Sequence, residues 1–325
     1  MARDKNKGAG EDTLKAKLHL AGIAALAVMA PCALLAQAPG QPTAPARMAG
    51  EYWAAKPATP TPYVAPNKVH WKLSEILAAH RRQSDWVQPL VRNADQEADY
   101  ISMAPGKKTK PQFYADDRMI FIVQSGAILV TIEGVAPFTA TKGFMVNVPA
   151  RHIYALETAG DVPSLRFEAR QAGAPPLYPA SEKPTPYPGR IYVKAVGTPG
   201  AWADRETNPI YFDFLKNVAD GKQIGGAFIR DDHFVANLVR GKGVPVPPDT
   251  NKGHFHVNAA EFWYIMEGKL GYKIEGYPYF EADQGDVVTA VKGRWHRATN
   301  SPNAPISTRI PINPRPPILH NFEPE

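Results

Sequence analysis

We expect this chain to fold almost entirely as β-sheet, as two tandem barrels or jelly rolls with one short N-terminal helix. Short stretches rich in β-branched and aromatic residues recur along the chain, and most end at glycines, as strands joined by tight turns do. Five of them are MIFIVQSG, AILVTIEG, FWYIMEG, LGYKIEG and DVVTAV. Evenly spaced short strands favour closed or double-sheet antiparallel architectures. Helical spacing of apolar residues predicts a short helix at 72–81.

An internal repeat predicts two copies of one β-domain. QFYADDRMIFIVQSGAILVTIEG (112–134) aligns without a gap with HFHVNAAEFWYIMEGKLGYKIEG (254–276), an offset of 142 residues. Gly126 then matches Gly268, and the register continues downstream to a second pair of glycines. Each copy has a length within the usual range for a domain. The chain is most simply two tandem barrels.

Composition divides the chain into five segments, and proline, with 33 residues, is concentrated between the folded ones. We predict a secretory signal over 1–38, a Pro/Ala-rich linker over 39–68, an N-terminal barrel over 69–172, a Pro-rich linker over 173–190 and a C-terminal barrel over 191–325.

The first segment has the three parts of a secretory signal. Basic residues precede the apolar stretch LHLAGIAALAVMAPCALLA, which ends in small residues. This order predicts export, cleavage near residue 38 and a periplasmic or secreted protein. An uncleaved anchor is the alternative, because 18–36 is just long enough to span a bilayer. Cys32, the only cysteine, lies inside the signal, so the mature chain has no disulfide and no thiolate ligand.

The charge of the chain argues against a nucleic-acid partner. The formal net charge is +6, and the first 38 residues, with five basic and three acidic side chains, account for +2 of it. No long basic run or nucleic-acid motif accompanies the remaining charge. We therefore expect no nucleic-acid partner. Separately from the charge, we expect a small-molecule substrate, no membrane association after cleavage, and a monomer or a homo-oligomer.

The stretch GHFHVNAAEFWYIMEG carries the residues with the clearest chemistry. On a strand, His254 and His256 point to one face, and Glu261 opens the next strand after the turn-like VNAA. Downstream, GDVVTAVKGRWHRATN contains His296. Imidazoles and a carboxylate suit a divalent first-row metal, although a His-x-His pair alone is weak support. The alternative is that these polar side chains form a buried hydrogen-bond network without a metal. Burying three histidines and a glutamate for such a network alone would be costly in free energy.

These two stretches resemble the two signature motifs of the cupin superfamily. The first has His-x-His, then Glu after four residues and Gly after six more; the second has Gly, Gly, His and Asn at the family's spacing. Val291 replaces a usual proline and Pro248 a usual glycine, and neither is a ligand position. The resemblance implies a two-cupin protein of double-stranded β-helices, with one divalent ion in the C-terminal cupin, iron, manganese or copper favoured over zinc or nickel. The ligands it implies are His254, His256, Glu261 and His296.

The N-terminal copy lacks this ligand set. At the offset of 142, the four positions hold Gln112, Tyr114, Met119 and Tyr154, none a usual ligand. His152 lies two positions out of register, and a strand slip of two would keep it facing inward. One histidine does not make a metal site. We predict that the first cupin is metal-free and structural.

Three further residues are candidates for binding substrate. Trp263 should share a face with Glu261, while Arg230 and Arg309 could pair with a substrate carboxylate. Each has a structural alternative, as a core aromatic or a surface arginine. No catalytic base is assigned.

We expect an exported metal-dependent cupin enzyme, an oxygenase or related lyase that acts on a small oxygenated organic substrate. Decarboxylation ranks lower, because the loop GKGVPVPPDTNKG offers Asp249 but no glutamate as an acid. A non-catalytic cupin that binds a small ligand is the main alternative, since a fold does not determine a function. A sugar isomerase or epimerase is the third, without a catalytic pair to support it.

Overall fold

The computed structural model describes residues 51–196, 207–242, 253–314 and 319–322. The predicted signal segment, Pro248 and Asp249 lie outside the described residues. From Trp53 onward, the described residues belong to one compact unit.

The first half of the chain is one short helix and nine strands among the described residues. Helix α1 falls within the predicted range, and its Leu73 and Ile76 are buried. In chain order the elements are β1 (His70–Trp71), α1 (Leu73–Ala79), β2 (Trp86–Arg92), β3 (Gln96–Met103), β4 (Met119–Ser125), β5 (Ala127–Ile132), β6 (Phe138–Thr141), β7 (Phe144–Val148), β8 (Tyr154–Ala159) and β9 (Ser164–Gln171).

The second half repeats this pattern, again with one short helix. Its elements are β10 (Tyr211–Asp213), α2 (Phe214–Ala219), β11 (Gly226–Arg230), β12 (Val235–Gly241), β13 (Glu261–Glu267), β14 (Lys269–Ile274), β15 (Phe280–Asp283), β16 (Val287–Ala290), β17 (His296–Asn300) and β18 (Ser307–Asn313). Neither helix of the described residues is long and apolar enough to cross a membrane. The prediction of an all-β chain with a short N-terminal helix is confirmed.

Each half of the chain builds one large and one small antiparallel sheet. The first half has strand order β10-β7-β4-β9-β3-β2 beside the three-stranded β6-β5-β8. The second has β1-β16-β13-β18-β12-β11 beside β15-β14-β17. Apart from the first strand of each large sheet, the two orders match strand for strand, as the internal repeat predicts.

The first strands are exchanged between the halves. His70 in β1 pairs with Val288 in β16, and Tyr211 in β10 pairs with Val146 in β7. The side chain of Asp286 reinforces the first exchange, because its carboxylate lies 2.7 Å from His70 Nε2 and accepts the backbone N–H of the first residue of α1 at 2.9 Å. The exchange therefore ties the two halves together.

Strand alternation divides the buried residues into three clusters. Between the two large sheets, the Phe167 ring lies 6.4 Å from Phe262 and 5.1 Å from Tyr264. A second cluster fills the first half, and a third, which includes Trp263, fills the second. Because successive side chains of β13 point to opposite faces, Glu261 and Trp263 face the interior of their own barrel.

The described part of the predicted linker 39–68 lies against the second half of the chain. Thr61 Oγ1 donates to the carbonyl of Lys292 at 2.9 Å, and the Tyr63 hydroxyl donates to the carbonyl of Thr289 at 2.5 Å. This extended segment covers one flank of the second barrel just before β1 joins its sheet.

Candidate metal centre

Three segments bring the predicted ligands together in the second barrel. His254 and His296 face each other through two backbone hydrogen bonds of 2.9 and 2.8 Å. His256 follows two residues later, so its side chain lies on the same face as that of His254. Glu261 is the first residue of β13, and His296 is the first of β17. The predicted strand around His254 is present only as isolated bridges.

The four side chains are spaced as ligands of one ion are. Their ligand atoms all lie within 4.8 Å of one another. Glu261 Oε2 is 3.1 Å from His256 Nε2, 3.2 Å from His296 Nε2 and 3.9 Å from His254 Nε2, and the last two nitrogens are 3.2 Å apart. Two ligands that are each about 2.1 Å from an ion are about 3.0–3.4 Å apart. The donor set therefore fits a first-row divalent ion.

The outer nitrogens of two histidines show where their protons lie. His256 Nδ1 is 3.1 Å from the carbonyl oxygen of Leu319, and His296 Nδ1 is 2.9 Å from that of Arg294. A carbonyl oxygen only accepts, so each Nδ1 carries a proton, and Nε2 is the ring nitrogen that faces Glu261. The two Nε2 atoms converge on the carboxylate of Glu261. A cation at their centre could take both nitrogens and the carboxylate oxygen as ligands.

Glu261 is held as a carboxylate. Burial alone raises the pKa of this carboxyl, but its contacts with the three histidines outweigh burial and hold the pKa well below its ordinary value. Asn313 Nδ2 donates to Oε1 at 3.3 Å, which leaves Oε2 toward the imidazoles. An ionised, oriented carboxylate is what a divalent ion requires here.

His254 is the most accessible of the four ligands. Its side chain is 22% exposed, against 2% for His256 and His296 and 7% for Glu261. Burial lowers the pKa of His254, while the nearby Glu261 carboxylate opposes that shift. The neutral ring, which can bind a metal, is therefore favoured, and the open side of the centre is at His254.

The fold, but not the sequence, is similar to that of known proteins. No family model matches the chain, and no curated protein matches it. Its structure is similar to that of salicylate 1,2-dioxygenase from Pseudaminobacter salicylatoxidans, with 11% identity, 82% of this chain and 88% of that chain covered, and a TM-score of 0.56. A cupin 2 conserved barrel domain protein from Leptotrichia buccalis has 11% identity, 79% and 100% coverage, and a TM-score of 0.51.

The fold is that of a cupin. A mutant of oxalate decarboxylase from Bacillus subtilis also matches, with 14% identity, 82% of this chain and 81% of that chain covered, and a TM-score of 0.47. At these identities the likeness concerns the fold alone.

The three predicted substrate residues occupy different parts of the cupin barrel. Trp263 is 3% exposed, and its ring centroid lies 5.1 Å from that of His296, so it forms the inner wall beside the ligands. Arg309 is half-buried on β18, four residues from Asn313, which is about 13 Å along a strand. Arg230 is exposed on the edge strand β11. Of the three, only Trp263 therefore lies next to the four ligands; the backbones of Arg230 and Arg309 are farther away.

The corresponding positions of the first half are occupied by non-ligand side chains. Gln112 and Tyr154 form the same backbone bridge as His254 and His296, and the Gln112 amide donates to the Tyr154 hydroxyl at 2.7 Å. The register of 142 therefore places Tyr154, and not His152, opposite Gln112.

Two residues near the ligands were missed by the sequence reasoning. Asn313 orients Glu261, and His320, in the C-terminal segment, has its ring centroid 4.2 Å from that of His254. Burial lowers the pKa of His320, and its histidine neighbours lower it further. Neither residue belongs to a spacing motif, although an unassigned histidine near the C-terminus was a visible signal.

A cavity of about 580 Å³ adjoins the centre. It reaches the ligand His256 and lies between the two halves of the chain. Its described lining includes Asp95, Asn258, Lys292, Leu319 and Asn321. A small molecule could therefore lie beside the ligands, with both an acidic and a basic side chain at the wall.

Proposed function

We propose that this protein is a two-cupin metalloenzyme, an oxygenase or related lyase that acts on a small oxygenated organic substrate at an ion in the second barrel. One observation carries the proposal: the Nε2 atoms of His256 and His296 lie 3.1 and 3.2 Å from the Glu261 carboxylate, and the Nδ1–H of each ring donates to a backbone carbonyl. Imidazole and carboxylate suit zinc and nickel as well, but iron, manganese or copper is favoured, because the proposed oxygenase reaction needs a redox-active ion.

The chain's own residues provide three functions at this centre. Three neutral imidazoles and one carboxylate would leave a 2+ ion with net positive charge and open coordination positions. When bound, such an ion supplies Lewis acidity toward a substrate oxygen and, if redox-active, electron transfer with dioxygen. Asn313 orients the carboxylate, and the buried Trp263 excludes water from the inner side. The open side at His254 is where a substrate would approach.

The first barrel has a structural role in this proposal, and the pairing of one working with one degenerate cupin makes the protein a bicupin. A solved salicylate 1,2-dioxygenase complex with gentisate shares the fold, which supports a small oxygenated substrate. We also propose that the protein is exported, on the basis of the predicted signal at 1–38.

Metal analysis of the purified protein tests the proposal. The wild type should contain about one divalent ion per chain, and His254→Ala or Glu261→Gln should lose at least about tenfold in metal affinity, because each removes a ligand. His152→Ala, in the first barrel, is the matched control and should keep its metal. A wild type without metal, together with unchanged metal content in the two ligand variants, would refute the metal centre.

Oxygen uptake then tests the reaction. The metal-loaded protein should consume dioxygen with a phenolic or diketone substrate, and Glu261→Gln should not. Stoichiometric metal with no turnover of any such substrate would instead favour a protein that binds a small ligand without chemistry.

A further inference from the structure

The segment Leu319–Phe322, called here the C-terminal strap, lies along the His-x-His stretch. Asn321 donates its backbone N–H to the carbonyl of Phe255 at 3.0 Å and accepts the Phe255 N–H at 3.1 Å. Asn321 is only 4% exposed. The strap therefore adds a bridge beside the two histidine ligands that flank Phe255.

One carbonyl of the strap holds a metal ligand. The Leu319 oxygen accepts the Nδ1–H of His256 at 3.1 Å and the side-chain amide of Asn321 at 3.2 Å. The same amide donates to the Phe255 carbonyl at 3.0 Å. Asn321 thus fixes the carbonyl that sets the tautomer and the direction of His256. Outer groups of this kind orient metal-binding histidines.

The aromatic side chains of the strap cover the accessible ligand. The His320 ring centroid lies 4.2 Å from that of His254 and 5.2 Å from that of His256. The Phe322 ring centroid lies 5.6 Å from that of His254. Since His254 is the most exposed of the four ligands, these rings stand at the open side of the centre.

The first half of the chain contains the same backbone bridge, but without the metal ligands beside it. Phe113 and Leu177 exchange backbone hydrogen bonds of 2.9 and 2.8 Å, as Phe255 and Asn321 do. Leu177 therefore stands where Asn321 stands in the second half. A leucine makes the bridge in the first half, so the bridge itself requires neither the amide of Asn321 nor the ring of His320. In the second half, these two side chains lie beside the four ligands.

We propose that the C-terminal strap is a positioning element of the metal centre. Asn321 orients the Leu319 carbonyl that holds His256, and His320 forms the wall over His254 against which a ligand on the open side of the ion packs. This inference rests on the proposed function, because it requires an ion at the four ligands.

Co²⁺ affinity of the full-length protein, measured by competition with a chelator, tests the first part. Asn321→Leu, which copies the first half, should weaken Co²⁺ binding about 10–100-fold, the usual effect of losing such an outer group. Leu177→Ala changes the equivalent strap and should leave the affinity unchanged. The visible absorption of bound Co²⁺ should also shift in Asn321→Leu alone, which a purely structural role would not produce.

Azide binding to the Co²⁺-loaded protein tests the second part. His320→Ala should weaken azide binding severalfold and leave Co²⁺ affinity nearly unchanged, whereas His320→Phe, which keeps an aromatic wall, should retain azide binding. A wild type that binds no Co²⁺ refutes the metal centre and with it this inference. A wild type that binds Co²⁺ no more tightly than Asn321→Leu overturns the role of Asn321 alone, and unchanged azide binding in His320→Ala overturns that of His320.

Discussion

Replacement of Asp117 by asparagine should stabilise the protein at neutral pH. This aspartate precedes β4, is 6% exposed and accepts the backbone N–H of Arg118 at Oδ1, at 2.8 Å. Its other oxygen, Oδ2, is buried and has no hydrogen-bond partner among the described residues. The neighbouring guanidinium of Arg118 is itself paired with Asp231 of the second half. A negative charge at Asp117 is therefore poorly compensated.

The magnitude follows from the pKa. Burial, with a contribution from the Asp231 charge, raises the pKa of Asp117 from 3.8 to about 6. Between these values the folded protein binds more protons than the unfolded chain, so the folded state loses stability as the pH rises from 3.8 to about 6 and loses no more above that. At about 1.4 kcal/mol per pH unit, ionised Asp117 costs ~3 kcal/mol above that pH. Asparagine keeps the hydrogen bond from Arg118 and removes the charge.

Urea unfolding from pH 5 to pH 8 measures this effect. Relative to the wild type, Asp117→Asn should gain stability as the pH rises, up to ~3 kcal/mol at pH 8. Asp116→Asn is the matched control, because Asp116 is 80% exposed and its pair with Arg151 lies at the surface, so its effect should stay within about 0.5 kcal/mol. A variant that is no more stable than the wild type at pH 8 would refute the argument.

Two further substitutions test packing and the approach to the ligands. Phe167→Ala should lower the free energy of unfolding by ~3–5 kcal/mol, because the ring is fully buried between the large sheets. Urea unfolding measures this loss, and a loss below about 1 kcal/mol would contradict that packing. Gly253→Ala should weaken Co²⁺ binding in the chelator assay, because its φ is +72° and a Cβ there would stand 2.7 Å from the carbonyl oxygen of His296. Unchanged affinity would show that the backbone before His254 need not keep this conformation.

Strand periodicity accounts for most of what the sequence predicts correctly. On β13, alternation predicted that Trp263 shares a face with Glu261, and in the structure Trp263 lies inside the second barrel while Phe262 and Tyr264 lie between the large sheets. The 142-residue register is also seen in the backbone. The bridge of Gln112 to Tyr154 repeats that of His254 to His296. Both follow from local spacing, which a sequence records directly.

Contacts that depend on chain closure could not be predicted in this way. The two residues of β1 join a sheet built from the other half of the chain. A pattern of two residues is too short to predict which strand they pair with. The strap sequence LHNF has no alternation that predicts a bridge. Arg230 and Arg309 both lie on strands, yet Arg230 is exposed and Arg309 is half-buried.

The interior of the first barrel gives a physical reason for a metal centre in only one half. Met119, at the position of Glu261, pairs across the sheet with Arg170, which occupies the place of Asn313. The Arg170 guanidinium lies 2.8 Å from Glu97 and 3.1 Å from Asp99, so its charge is compensated within the protein. A glutamate installed at Met119 would lie beside this guanidinium and not beside a neutral amide such as that of Asn313, so the guanidinium would compete with an ion for the new carboxylate. Installing three histidines and a glutamate in the first barrel would therefore not create a metal site while Arg170 remains.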